Sequence, residues 1–205
     1  MRPYIKILLF ALLPLSLLCF SSCSEQDDTV DEYANWQVRN DAYFRHLADS
    51  VRQLVSAGRK DWKVIKSYSK NPKEETDVMD YILVHVLSEG DGGECPLLSD
   101  TVRVNYAGSL MPTASYPNGF EFDKSYYGSI YNPNTAVPAK FGVLGVINGF
   151  ATALQNMHRN DYWEVFVPYA LGYGTAAQST IPAYSTLKFK IHLIDFYHSE
   201  VPDWK

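Results

Sequence analysis

Polar and apolar positions change their period several times along the chain, and each change marks an element. Between residues 31 and 57 the apolar positions Phe44, Leu47, Val51 and Leu54 fall at spacings of three, four and three after Trp36. That is the stripe of a helix burying one face. Gly58, with Arg59 and Lys60 behind it, ends the helix, because a left-handed residue and positive charge both suit a C-terminus. The stripe spans about two heptads, short of what a coiled coil sustains, so the helix is expected to dock on its own chain rather than to dimerise. Residues 61–77 carry little pattern, and 66–72 read as a connecting loop. Residues 81–87 are dense in aromatic and β-branched side chains, and Gly90, Asp91, Gly92 and Gly93 close that strand with a turn. From 101 to 106 the pattern alternates, with Val102, Val104 and Tyr106 on one face and Arg103 and Asn105 on the other. A turn at 116–119 precedes an extended stretch at 120–123, and 140–143 give another short extended piece. Val146, Phe150, Leu154 and Met157 line one helical face over three turns. Residues 161–167 are extended up to Pro168, and 185–196 form a long strand with Leu187, Phe189, Ile191 and Leu193 together. Several antiparallel-type strands and one short helix, preceded by an N-terminal helix, predict an α+β fold.

Composition narrows the function more than the fold. The chain has 205 residues, with 18 Lys and Arg against 23 Asp and Glu, a net charge of −5, 46% hydrophobic and 20% charged residues. This suits one domain with an appendage and is too apolar for disorder throughout. The mild acidity is spread along the chain, and without a basic patch a nucleic-acid partner is not expected. Cys19, Cys23 and Cys95 are too few for a disulfide scaffold, and no CxxC or HExxH spacing occurs, so no structural zinc is expected.

The first 22 residues read as a secretory leader. Arg2 and Lys6 supply the positive start, and residues 7–20 form an apolar run broken only by Pro14 and Ser16, too short for the ~20 residues of a membrane span. Ser21 and Ser22 directly before Cys23 resemble a bacterial lipobox, which would be cut before a lipidated Cys23; Phe20 stands where Leu is usual. An ordinary leader with another small-residue cleavage site is the alternative. Without Arg2 and Lys6 the mature chain keeps 16 basic and 23 acidic residues, a charge of −7. Ser24, Glu25, Gln26, Asp27 and Asp28 make a polar tether, and Ser24 beside the cysteine resembles lipoproteins sent to the outer membrane. The expected organisation is a leader at 1–22, a lipid-anchored tether at 23–30, a helical extension and connector at 31–78, the main domain at 79–198 and a tail at 199–205.

Eight short segments, in order, resemble the successive signatures of the FKBP-type peptidyl-prolyl isomerases. They are 104–110 (Val104, Asn105, Tyr106, Ala107, Gly108), 119–125 (Phe120, Phe122, Asp123), 141–145, 146–150, 154–157, 163–168, 171–174 and the pair 181–182 with 185–189. The resemblance runs from about residue 80 to 196 and implies a twisted antiparallel sheet wrapped around one short helix. It implies peptidyl-prolyl cis–trans isomerisation of exported proteins in the bacterial envelope, without cofactor, with proline-containing polypeptides as partners and macrolide inhibitors as ligands. It also implies site residues. Tyr106, Phe122, Val146, Ile147, Phe150 and Phe189 would form apolar walls with Phe150 as floor, the Ile147 N–H and the Tyr173 hydroxyl would hold substrate carbonyls, Ile181 would flank the entrance, and Asp123 would be the one carboxylate. Read by periodicity alone, Val146, Ile147, Phe150 and Phe189 are core residues, Tyr106 is a strand aromatic and Asp123 a turn residue. His85, His158 and His192 read as surface or strand histidines without chemistry.

The chain departs from the family pattern. Phe150 replaces the usual Trp, Ala139 stands where a pocket aromatic is common, Ala183 replaces a second proline, and Asn160 takes the place of a turn glycine. About two residues are missing between Gly145 and Val146, and 111–118 is longer than in the minimal family member. These departures keep open the alternative of a weakly catalytic or non-catalytic binding or chaperone module on the membrane. A surface glycan- or nutrient-binding lipoprotein is a third class, resting on the tether and 15 tyrosines.

Overall fold

The computed structural model describes residues 31–74 and 77–198. The expected leader, Cys23, the tether and the tail at 199–205 lie outside the described residues. Their order is α1 (Trp36–Ser56), β1 (Trp62–Lys66), β2 (Tyr81–Ser88), β3 (Thr101–Leu110), β4 (Glu121–Lys124), β5 (Ala139–Gly142), α2 (Asn148–Leu154), β6 (Tyr162–Val167) and β7 (Leu187–Tyr197). The strands form one seven-stranded antiparallel sheet in the order β1-β2-β6-β7-β3-β4, with β5 also paired to β3.

β1 lies in the stretch where the sequence carries little pattern, just ahead of the loop expected at 66–72. Trp62–Lys66 pairs along its whole length with β2, Trp62 opposite His85 and Lys66 opposite Tyr81, and the loop begins only after it. α2 is also shorter than its apolar spacing predicts: it ends at Leu154, and Met157 is buried in the turn beyond.

Alternation along β2 and β6 gives the sheet two apolar faces. Ile82 and Val84 with Trp163, Val165 and Val167 point to the inner face, where Phe150, Ala153 and Leu154 of α2 complete the main core. Leu83 and Phe166, paired in register, point to the outer face and pack against Phe44, Ala48 and Val51 of α1. The N-terminal helix therefore docks on its own chain. It is closed by a pair of bonds that fold the last carbonyls inward, Arg59 N–H to Leu54 O and Gly58 N–H to Val55 O, with Gly58 at φ +88°.

The start of α1 reaches the loop that precedes β7. Trp36 Nε1 donates to Ser185 Oγ at 2.9 Å, and the Thr186 N–H donates to Asn40 Oδ1 at 2.7 Å, all of these residues being buried. Glu32 accepts from the backbone and hydroxyl of Ser115, so the long 111–118 loop is held by the N-terminal extension. Asn160 takes φ +67°, the left-handed conformation its place demands.

Candidate active site

Four strands, α2 with the segment before it, and the loop after β6 converge on a cavity of about 260 Å³. β3 brings Tyr106, β4 Phe122 and Asp123, β5 Phe141, β7 Phe189, α2 Phe150, the segment before α2 Gly145, Val146 and Ile147, and the post-β6 loop Tyr173. Two glycines make the convergence possible. A Cβ on Gly149 would lie 2.3 Å from Val167, so its absence lets α2 settle onto β6 and seats Phe150 on the floor. A Cβ on Gly108 would lie 2.6 Å from the Phe122 ring and 2.8 Å from that of Phe189.

The walls are a continuous aromatic chain. Phe150 meets Tyr106 edge-on at 6.0 Å and Phe189 edge-on at 5.2 Å; Phe189 meets Phe122 at 5.7 Å, and Tyr106 meets Phe141 at 5.7 Å. Edge-to-face contacts of this kind add to the stability of burial and hold the rings in fixed orientations. The chamber is thus stiff and apolar over most of its surface.

Its polar groups are few. The Tyr106 hydroxyl donates to Asp123 Oδ2 at 2.5 Å, the length of a charge-assisted bond. Burial, and then that bond, push the Tyr106 pKa upward, so the group remains a neutral donor. Burial and the nearby Asp123 charge also raise the pKa of Tyr173. The Tyr173 hydroxyl finds no partner among the described residues, and neither does the Ile147 N–H, although the Ile147 carbonyl is used by Ala151. Two donors therefore stand unengaged at an apolar chamber, the arrangement that suits a ligand presenting carbonyl oxygens. Among the described residues no group of three or more His, Cys, Asp or Glu side chains is placed to hold a metal ion.

Of the nine residues expected at the site, Tyr106, Phe122, Asp123, Val146, Ile147, Phe150, Tyr173 and Phe189 line the cavity. Ile181 does not. Ile181, expected to flank the entrance, is 6% exposed and belongs to the main core, as Phe150 and Phe189 do. The structure adds Phe141 and Gly145. Phe141 lies two residues after Ala139 on β5, hence on the same side of the strand, and supplies an aromatic wall where Ala139 cannot.

The histidines lie elsewhere. His85 stacks on Trp62 at 4.4 Å, His158 sits 3.5 Å from Asp161, and His192 is hydrogen-bonded to the Tyr131 hydroxyl on the outer face of the sheet.

Comparison with known proteins agrees with this geometry. The family model described as FKBP-type peptidyl-prolyl cis-trans isomerase matches residues 92–194, half of the chain. The chain belongs to the FKBP-type peptidyl-prolyl cis-trans isomerase family. Its FKBP-type domain is 37% identical over 113 residues to the FKBP-type peptidyl-prolyl cis-trans isomerase FkpA of Escherichia coli, a match covering 55% of this chain and 37% of that protein. It is 33% identical over 134 residues to the FKBP-type 22 kDa isomerase of the same species, covering 64% and 58%. It is 39% identical over 110 residues to the outer membrane protein MIP of Legionella longbeachae, covering 53% and 41%. Each match takes in less than two thirds of the relative's own length. Among solved structures, that of Escherichia coli FkpA superposes with a TM-score of 0.54 at 29% identity, covering 80% of this chain and 62% of that one.

Proposed function

We propose that the protein is a peptidyl-prolyl cis–trans isomerase acting on exported polypeptides in the bacterial envelope. The observation that carries this reading is the aromatic chamber with two unengaged donors, the Ile147 N–H and the Tyr173 hydroxyl, at its rim. Rotation about a peptide bond faces a barrier of ~18–20 kcal/mol, because resonance gives the C–N bond double-bond character. Uncatalysed X-Pro isomerisation consequently takes tens to hundreds of seconds. The twisted state has lost that resonance and its charge separation, so an apolar, water-poor chamber favours it over the planar ground state. In this scheme the prolyl ring rests on Phe150 between Tyr106, Phe122 and Phe189, while Ile147 and Tyr173 hold carbonyl oxygens of the flanking residues in the twisted geometry. Tyr106, fixed by Asp123, keeps its wall in place. No covalent step is involved, and each ~1.4 kcal/mol of preferential binding to the twisted state is worth tenfold in rate.

The deciding measurement is the rate of a proline-limited refolding reaction with and without the full chain. Acceleration that a macrolide ligand of the family abolishes supports the proposal. A rate equal to background, in protein verified as folded, would remove the enzymatic reading and leave a chamber that only binds proline-containing segments.

The leader and Cys23 support a lipid-anchored, outer-membrane location as part of the same proposal. Fatty-acid labelling of the wild type that Cys23→Ser abolishes, with release of the variant from membranes, is the expected result. An unlabelled wild type would overturn it.

A further inference from the structure

Tyr173 stands exposed at the rim of the chamber between two glycines, Gly172 and Gly174. Such a backbone has little preference of its own, Gly174 taking φ +69°, so the place of the hydroxyl must be set by partners farther off. One partner lies inside the loop: the Gly172 and Gly174 N–H groups both donate to Tyr169 O, at 3.0 and 2.9 Å. The other lies across it, where the Tyr184 N–H donates to Gly174 O at 3.0 Å. Tyr184 holds a left-handed φ of +61°, a conformation that a bulky residue keeps only where its surroundings impose it. Its ring meets that of Tyr169 edge-on at 5.2 Å, and the two residues after it, Ser185 and Thr186, are buried and each bonded to α1.

The start of α1 is shaped for this grip. The helix buries Trp36, Asn40, Phe44, Ala48 and Val51, and Asn40 interrupts an otherwise apolar stripe. An apolar side chain there would need no bonds, whereas a buried amide stabilises the docking only in the one position where its groups are bonded. Both ends of the Asn40 amide are engaged: Nδ2 donates to Trp36 O at 2.8 Å on its own helix, and Oδ1 accepts from the Thr186 N–H at 2.7 Å. One turn earlier, Trp36 Nε1 donates to Ser185 Oγ at 2.9 Å, and that hydroxyl donates to Pro182 O at 2.7 Å, which closes the turn leading into β7. A contiguous path of bonds therefore runs from α1 through Ser185, Thr186 and Tyr184 to Gly174, next to the rim hydroxyl. A shift of about 1 Å in a reacting group costs a large factor in rate even when its cause lies far from the chemistry. We propose that Asn40 and Trp36 are positioning residues for the isomerase reaction, holding the Tyr173 hydroxyl where a substrate carbonyl meets it in the twisted state, so that the N-terminal helix sets turnover without touching substrate. The proposal rests on the isomerase reading of the chamber and adds to it two residues that line no part of that chamber.

The test is a double-mutant cycle in the full chain, read as kcat and KM on an X-Pro peptide at a temperature well below the melting transition of every variant. Asn40→Ala should lower kcat/KM several-fold, mainly in kcat and by no more than Tyr173→Phe does. Trp36→Phe, which keeps a ring and removes the Nε1 donor, should act in the same way. Combined with Tyr173→Phe, neither should lower the rate further, because the hydroxyl they position is already gone. Val51→Ala, buried at the far end of the same helix, should lower the melting temperature and leave the rate unchanged. Wild-type rates in both Asn40→Ala and Trp36→Phe, losses that multiply in the double variants, or an equal loss in Val51→Ala would overturn the proposal. If Asn40→Ala does not fold, Trp36→Phe carries the cycle alone. Should the wild type isomerise no peptide, the failure belongs to the chamber's proposed activity, and nuclear magnetic resonance decides the grip by itself. The ring signals of Tyr173, identified by their loss in Tyr173→Phe, should shift in Trp36→Phe and stay in place in Val51→Ala; signals that stay in place in Trp36→Phe, or move as far in Val51→Ala, reject it.

Discussion

The inner and outer faces of the sheet are both buried, but they are covered in different ways. On the inner face α2, a two-turn helix continuous with the sheet's own connections, packs so closely that Gly149 has no room for a side chain. On the outer face α1, a 21-residue helix from the N-terminal extension, contributes Phe44, Ala48 and Val51 and uses polar bonds at its start, Trp36 to Ser185 and Asn40 to Thr186, to set its position. The inner face makes the chamber. The outer face holds the loop between the chamber's Tyr173 and β7, since Tyr184 donates to Gly174 O in the segment that α1 grips. The contrast shows that the extension is structural to the site without lining the main cavity.

The strongest way to break the contrast is to empty the outer face. Phe44 is wholly buried, and Phe44→Ala should cost about 3–5 kcal/mol. In denaturant the loss should appear as one shifted transition, as for Leu154→Ala on the inner face. Two separate transitions would mean that α1 unfolds independently and that the two faces are not one cooperative unit.

A smaller effect comes from the polar grip. Asn40→Ala leaves the buried Thr186 N–H without its acceptor, a loss of about 1–3 kcal/mol. The Thr186 amide should then exchange with solvent faster than its neighbours on β7. Unchanged protection would show that the bond does not hold the loop.

Smaller again is the loss of one hydroxyl at the chamber. Tyr173→Phe should lower kcat/KM several-fold, in line with a net hydrogen bond of about 0.5–1.5 kcal/mol, and leave the melting temperature alone. Equal rates would take the hydroxyl out of the mechanism.

The smallest effects concern pH, and their signs are opposite. His192, half-buried on the outer face, has its pKa pushed below the ordinary 6.5 by burial, so the folded state prefers it neutral. Its contribution is complete above 6.5 and falls as pH drops below that value. His198 has its pKa raised by hydrogen bonds to Glu94 and Asp100, so its contribution is present below 6.5 and fades as pH rises through the higher folded value. Melting curves from about pH 5 to about pH 8 should therefore flatten on the acid side for His192→Asn and on the neutral side for His198→Asn.

Much of this was legible in the sequence, for identifiable reasons. The two faces of β3 and β7 follow from simple alternation, and α1 from its spacing and from Gly58. β1 was hidden because all five residues of Trp62–Lys66 are half-buried on an edge, which leaves no alternation for the pattern to display. The chamber's residues were visible only through family resemblance, since an apolar wall facing a cavity and one facing the core have the same periodicity. Phe141 shows the limit. Its place opposite Val102 is set by strand register, and no single segment encodes which strand will lie beside it.

The ends of the sheet carry a consequence for the proposed action on unfolded chains. An open strand edge is a template on which a client could add itself and seed aggregation. Here one edge is β1, which bears Lys63 and Lys66, and the other edge strands, β4 and β5, are four residues each, with Lys124, Glu121 and Lys140 among them. Short, charged edges make a poor template. On the proposed reading, an extended polypeptide that enters the chamber would find nowhere to continue the sheet.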